Sequence, residues 1–184
     1  SLSAIVNERV ELVKGADTVV LRTRDKAAIP VPLVLIRSLK PVLADLADGE
    51  RLAPRVVAWP TLEQRGLETD PRAGGWWARD VVALEIVDWQ RTFGPALATP
   101  DGSPDAARRG AGWFAERCIS CHRLRGAGGE RGPDLTTVAA RLRPEAFAPL
   151  LDRHPGGRGA GGETPAQAAE ELWSFLRAVA VAGP

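Results

Sequence analysis

A chain of 184 residues has room for one ordinary domain or two small ones, and 45% hydrophobic with 26% charged residues is the composition of a packed globular protein, not of a disordered one. Twenty-four Lys and Arg against 23 Asp and Glu leave a formal charge of +1, without the basic footprint expected of a nucleic-acid or anionic-membrane binder. No apolar run reaches the roughly 18 to 20 residues that span a bilayer, and the N-terminus lacks the plan of a signal peptide, so an exported form would begin at Ser1 already trimmed.

Residues 8–13, Thr18–Thr23, 29–36, 55–59 and 80–89 carry β-branched runs and are expected as strands. Pro30 and Pro32 cannot donate to a ladder, which demotes the third run to an edge or a bulge. Between the third and fourth runs, Leu39, Val42, Leu43 and Leu46 stand at helical spacing and predict one short helix within 36–46. In the last run Val82, Leu84 and Ile86 alternate with Val81, Ala83 and Val87, the pattern of a strand buried on both faces for part of its length.

Gly94, Pro95, Pro100, Gly102 and Pro104 mark a boundary, and a linker is expected over 93–103. Beyond it the pattern is helical. Ser103 is placed to N-cap a helix with Pro104 at its first position, running through Trp113 and Phe114 to Cys118. Thr164-Pro165-Ala166-Gln167 reads as a capping box, opening a helix whose Leu172, Phe175, Leu176 and Val179 form one apolar stripe. The fold class is therefore α+β, with a β-rich module over 1–92 followed by a helical domain over 104–184.

Two cysteines three residues apart make no disulfide framework and must be read as a site. Cys118-Ile119-Ser120-Cys121-His122 has the C-x-x-C-H spacing that lets two thiols reach the two vinyl groups of one haem while the adjacent imidazole turns to the iron. Two other chemistries use similar residues. A thioredoxin-like dithiol opens a helix after a strand, whereas here a helix precedes the motif and a glycine-rich loop follows. A structural zinc site needs more ligands, and the only other Cys or His is His154.

With Gly110 and Phe114 before the motif, Gly132-Pro133-Asp134-Leu135-Thr136 after it and the aromatic-Leu pair Phe175-Leu176 in the last helix, residues 104–184 resemble a monohaem class I c-type cytochrome domain. The resemblance implies one covalent haem c, with Pro133 and Leu135 beside it and the Pro133 carbonyl receiving the second ring proton of His122. Such a bond fixes the tautomer and makes the ligand more basic. It also implies that the first and last helices cross near Gly110 or Gly112 and Phe175. Class I domains usually supply a methionine as sixth ligand, often as Met-Pro before the last helix, but this chain has no methionine. His154-Pro155 stands at the corresponding place, which predicts His122 and His154 as the two metal ligands and a low reduction potential. A plain surface histidine, an open distal site and a lysine ligand from Lys14, Lys26 or Lys40 are the competing readings.

The first hundred residues contain neither Cys nor His, so no haem or thiolate metal is held from within them. Residues 29–35, Val56-Val57-Ala58-Trp59-Pro60 and the stretch from Trp76 through Ile86 weakly resemble part of a sulfite-oxidase-type molybdopterin domain that lacks the metal-binding cysteine. Trp59, Trp76 and Trp77 serve either as interface anchors or as core. All eleven basic side chains after residue 104 are arginines, Arg123 and Arg125 beside the motif among them, and one or two are candidates to hold haem propionates.

The resemblance thus implies a periplasmic electron carrier with one covalent haem c and no catalytic residue of its own, working with a redox partner such as a molybdenum or other oxidoreductase subunit. A haem enzyme or sensor with an open or labile sixth site is the alternative. Residues 1–92 are expected to dock or scaffold.

Overall fold

The computed structural model describes residues 1–69, 76–154 and 165–181. The chain divides into two compact units, Ser1–Thr92 and Phe93–Pro184.

The first unit opens with α1 (Leu2–Asn7), capped by Ser1, and a single 3-10 turn over Val10–Leu12, where a strand was expected over 8–13. Leu2, Val6 and Val10 recur every fourth residue and turn one face to the core, and that helical period outweighs the short β-branched run. β1 (Thr18–Thr23) pairs with β2 (Ala28–Pro32), which lies at the edge of the sheet as its two prolines require.

The expected strand over 29–36 stops at Pro32, and the expected helix over 36–46 lies earlier, as α2 (Leu33–Leu39). Leu33 and Ile36 are its buried face; Lys40 ends it in the left-handed conformation at φ 50°, and Pro41 follows. A proline cannot continue a helix, so Val42, Leu43 and Leu46, despite their spacing, belong to β3 (Val42–Ala47). Asp48 and Gly49, at φ 51° and 84°, form the two-residue turn into β4 (Glu50–Ala58), a turn that needs positive φ at both positions. A short helix α3 (Gly66–Thr69) and β5 (Ala78–Val87) complete the unit.

All five strands are antiparallel, in the order β2-β1-β5-β4-β3. One face carries Val19, Leu21, Val31, Val57 and Val81, which pack with Leu2, Val6, Leu33 and Ile36. Trp59 belongs to this core and donates its indole N–H to the Trp76 carbonyl at 3.0 Å, whereas Trp77 is 45% exposed. β5 differs from expectation: Val81 is buried but Val82 is 58% exposed, since an antiparallel sheet needs cover on one face only. On the other face Arg22 and Glu85 pair at 3.0 Å, but such an exposed pair is worth about 1 kcal/mol at most, so the apolar face holds the sheet.

Helix α4 (Trp89–Leu97) begins in the first unit and ends in the second, so residues 93–97 of the expected linker are helical. Asp88 accepts from the Arg91 N–H at its start, and Phe93 and Ala96 are buried, a helical spacing that overrides Gly94 and Pro95. The second unit continues with α5 (Asp105–Arg117), β6 (Arg123–Leu124), β7 (Ala127–Gly128), α6 (Val138–Arg141), α7 (Pro144–Arg153) and α8 (Pro165–Val181). Pro104, not Ser103, stands at the N-cap of α5; the Ser103 hydroxyl donates instead to the Pro100 carbonyl at 2.7 Å. Thr164 of the expected capping box lies outside the described residues, while Leu172, Phe175, Leu176 and Val179 of α8 are buried as their stripe predicted.

Helices α5 and α8 cross at Gly110. A β-carbon there would stand 2.6 Å from the Glu171 carbonyl carbon and 2.8 Å from the Phe175 β-carbon, whereas one at Gly112 would meet nothing within 4 Å. Only a glycine at 110 lets the two backbones approach this closely. Phe114 and Phe175 then meet with ring centroids 5.8 Å apart, both fully buried. Each is worth about 1.5 to 3 kcal/mol of apolar burial. Arg109 also pairs with Glu171 at 2.5 Å, but its side chain is 56% exposed and Glu171 Oε2 is buried with no partner among the described residues, so the aromatic pair and not the ion pair fixes the crossing.

Candidate functional site

Helix α5 delivers the first cysteine. Cys118 caps it, donating its N–H to the Phe114 carbonyl at 2.9 Å, and the chain then coils tightly, with Cys121 and His122 N–H groups both on the Cys118 carbonyl at 3.0 and 2.8 Å. Cys118 is buried, Cys121 half-buried, and both are free thiols. Burial pushes the Cys118 thiol up to about 12, an effect that the Arg117 charge opposes and Cys121 reinforces. A reactive dithiol needs the opposite shift, because the thiolate is the nucleophile, so the redox-dithiol reading loses its chemistry. Among the described residues no group of three or more His, Cys, Asp or Glu is placed to hold a metal ion.

His122 is buried at 8% exposure, and its Nδ1 lies 2.8 Å from the Pro133 carbonyl oxygen. A carbonyl oxygen can only accept, so the proton sits on Nδ1 and Nε2 keeps its lone pair for a metal. The loop geometry makes this possible. Gly132 donates its N–H to the Cys121 carbonyl at 2.8 Å, and a β-carbon at 132 would stand 2.6 Å from the ring's Nδ1, so the imidazole rests against bare backbone. The β6–β7 hairpin, turned by Arg125 and Gly126 at φ 46° and 83°, lies beside it; Leu124 is fully buried, and Leu135, half-buried, donates its N–H to the Arg123 carbonyl at 2.9 Å.

His154 caps the C-terminus of α7, with its N–H on the Leu151 carbonyl at 3.0 Å. Its side chain is exposed, yet its ring faces that of His122 with centroids 5.5 Å apart and planes inclined at 44°. Helix α7 thus brings together the only two histidines of the chain, 32 positions apart in sequence. Loss of hydration, and after it the neighbouring His122, lowers the His154 pKa below the ordinary histidine value, favouring the neutral form that binds metals. Pro155 lies outside the described residues.

The two arginines that follow the motif, candidates for haem propionates, bind protein groups in this structure. Arg123 pairs with Glu130 at 3.0 Å, and both terminal nitrogens of Arg125 donate to backbone carbonyls, those of Ala98 and Val179, at 3.1 Å each. Sequence reading missed the packing of Gly132 on His122 and the contact between Phe147 and Trp173, whose rings stand 5.0 Å apart and join α7 to α8. The only signal for either was the residue type itself.

Residues 107–173 match the cytochrome c family. The second unit contains a cytochrome c domain. Searches of the curated proteins and of the solved structures give no match. The family match stops short of residues 1–92, and the comparisons lend no support to the likeness of that region to sulfite-oxidase-type domains. The cytochrome c domain implies covalently bound haem c, and Cys118 and Cys121 stand at the spacing of one haem's two attachments. The residues fit that group: two unpaired thiols at the end of a helix, one imidazole whose Nδ1 is already engaged and a second imidazole facing it.

Proposed function

We propose that the chain is a periplasmic one-electron carrier whose haem c would be held by His122 and His154, and whose first unit docks it on a redox partner. That a cytochrome c domain carries electrons on haem c follows from the family; the ligand pair, the compartment and the partner are the proposal. The observation that carries it is the facing of the two imidazoles at 5.5 Å in a chain with no methionine.

Bound haem c supplies a reversible one-electron couple at iron. The chain's part is to hold that couple still. Cys118 and Cys121 fix the group covalently at the end of α5, and Pro133 keeps the His122 proton on Nδ1, which strengthens Nε2 as a donor. His154, set at the end of α7 with its ring against that of His122, would be the second ligand and would leave no position at the iron for a small substrate. Two imidazole donors favour the oxidised iron more than an imidazole and a thioether do, which places the potential low within the family. The compartment rests on the same resemblance, since in bacteria C-x-x-C-H attachment takes place on the outer side of the inner membrane. Among the described residues no helix is long and apolar enough to cross a membrane.

The optical and electron-paramagnetic spectra of the purified oxidised protein are expected to be those of a low-spin iron with two imidazoles, and the reduced protein is expected to resist carbon monoxide. Immediate binding of carbon monoxide would convert the reading into that of a haem enzyme or sensor with a labile sixth ligand. The docking role of the first unit has its own test. Redox encounters bury little surface, usually under about 1,200 Å² in total, so a carrier gains from a second attached surface. Cutting the chain just ahead of Asp88, which leaves α4 and Ala98 with the haem domain, is expected to leave the haem spectrum unchanged and to lower the rate of electron exchange with the native partner. An undiminished rate removes the docking role.

A further inference from the structure

We propose that Arg125 is a positioning residue for His122, acting through the Pro133 carbonyl; the proposal rests on the haem reading above. Arg125 opens the turn between β6 and β7 at φ 46°, in the left-handed region that crowds a β-carbon and that turns usually give to glycine or asparagine. The backbone alone does not single Arg125 out, since Lys26 and Lys40 also have positive φ; what sets it apart is that its side chain binds two distant carbonyls.

Its guanidinium does so as a fork. One terminal nitrogen donates to the Ala98 carbonyl and the other to the Val179 carbonyl, each at 3.1 Å. Ala98 directly follows α4 and Val179 lies in the last turn of α8, so both acceptors sit at helix C-termini, where carbonyls lack intrahelical partners. A positive charge also suits the negative end of each helix dipole. No lysine could serve both carbonyls from one fixed plane.

The same residue is tied through its backbone to the segment that carries Pro133. The Arg125 N–H donates to Thr136 Oγ1 at 2.7 Å, and two residues earlier the Arg123 carbonyl accepts the Leu135 N–H at 2.9 Å. The next rung toward the motif is the bond from His122 Nδ1 to the Pro133 carbonyl at 2.8 Å. Three rungs therefore join residues 122–125 to residues 133–136. The fork fastens the far end of that ladder to two helix ends, so the near end cannot swing and the imidazole keeps its acceptor.

Two variants of the full-length holoprotein separate this role from a merely structural one. Arg125→Gly suits the left-handed backbone and deletes the fork, while Arg125→Lys keeps the charge without the fork. The quantities read are the solvent-exchange rate of the His122 Nδ1 proton, by magnetic resonance of the reduced protein, and the reduction potential. Exchange is expected to be at least roughly tenfold faster in Arg125→Gly, which loses both charge-assisted hydrogen bonds of the fork, either of which is worth about that factor, and less accelerated in Arg125→Lys. The potential should rise in the same order, because a less firmly held Nδ1 proton makes Nε2 a weaker donor to the oxidised iron. If Arg125→Gly does not fold, Arg125→Lys alone decides on the same two readings. Wild-type exchange and potential in the folded variants overturn the proposal even if their melting temperatures fall, and so does failure of both variants to fold. A wild-type protein whose mass lacks covalent haem refutes the haem reading instead, and that measurement comes first.

Discussion

Replacing both Cys118 and Cys121 by Ala is expected to abolish covalent haem. The denatured wild-type protein should keep its pigment through acid-acetone extraction and exceed the mass of the chain by one haem, whereas the double variant should release all of it into the organic phase. The structure gives the reason why both residues matter and why they differ. Cys118 is buried at the end of α5, within the coil that also fixes His122, and Cys121 is half-buried one turn on. Single variants should each retain one thioether bond and so keep the haem in the protein fraction. The buried site at 118 adds a packing loss of about 1 kcal/mol for the missing sulfur, by the usual cost of removing a methylene-sized group from a core. Pigment freed from the wild type by the same extraction would refute the c-type assignment at once.

Much of the second unit was legible because its signals are local. The stripe of Leu172, Phe175, Leu176 and Val179 is a helical period with no competing pattern, and all four side chains are buried. The Pro133 carbonyl stands on His122 Nδ1 as the family resemblance implied. What the sequence left open was a choice between equals. Gly110 and Gly112 are both helical glycines, and only the position of α8 shows that 110 is the point of closest approach.

In the first unit two of the failures have one cause, that short apolar runs satisfy two periods at once. Val42, Leu43 and Leu46 fit a helix as well as a strand, and the deciding residues were Pro41, which ends α2, and the Asp48-Gly49 turn, which returns the chain as a hairpin. Leu2, Val6 and Val10 carried a helical signal that the neighbouring β-branched residues obscured. In β5 the alternation was real, but which face lay against α1 and α2 depends on the register with β1, and no residue of β5 records that register. The reach of Arg125 to residues 27 positions before it and 54 after it was equally out of sight.

His154→Ala is expected to turn a low-spin, six-coordinate haem into a high-spin one or one that takes up an exogenous ligand, and to let carbon monoxide bind on reduction. The argument is one of supply and placement. The chain offers two histidines and no methionine; His122 is committed by its neighbours in the motif, and His154 is the side chain that α7 sets against it, ring to ring. Its pKa is lowered first by loss of hydration and then by His122, so the neutral, metal-binding imidazole prevails at neutral pH and is favoured further as pH rises. Because the side chain is exposed, its removal should cost the fold little, about 0.5 kcal/mol, and an unchanged melting temperature would show that a spectral change does not come from unfolding. His154→Met supplies the complementary test. A thioether stabilises the reduced iron better than an imidazole does, so a methionine that ligates from the same place should restore the low-spin spectrum and raise the potential above that of the wild type. A low-spin spectrum that survives unchanged in His154→Ala would show that another group, such as one of Lys14, Lys26 and Lys40, holds the sixth position.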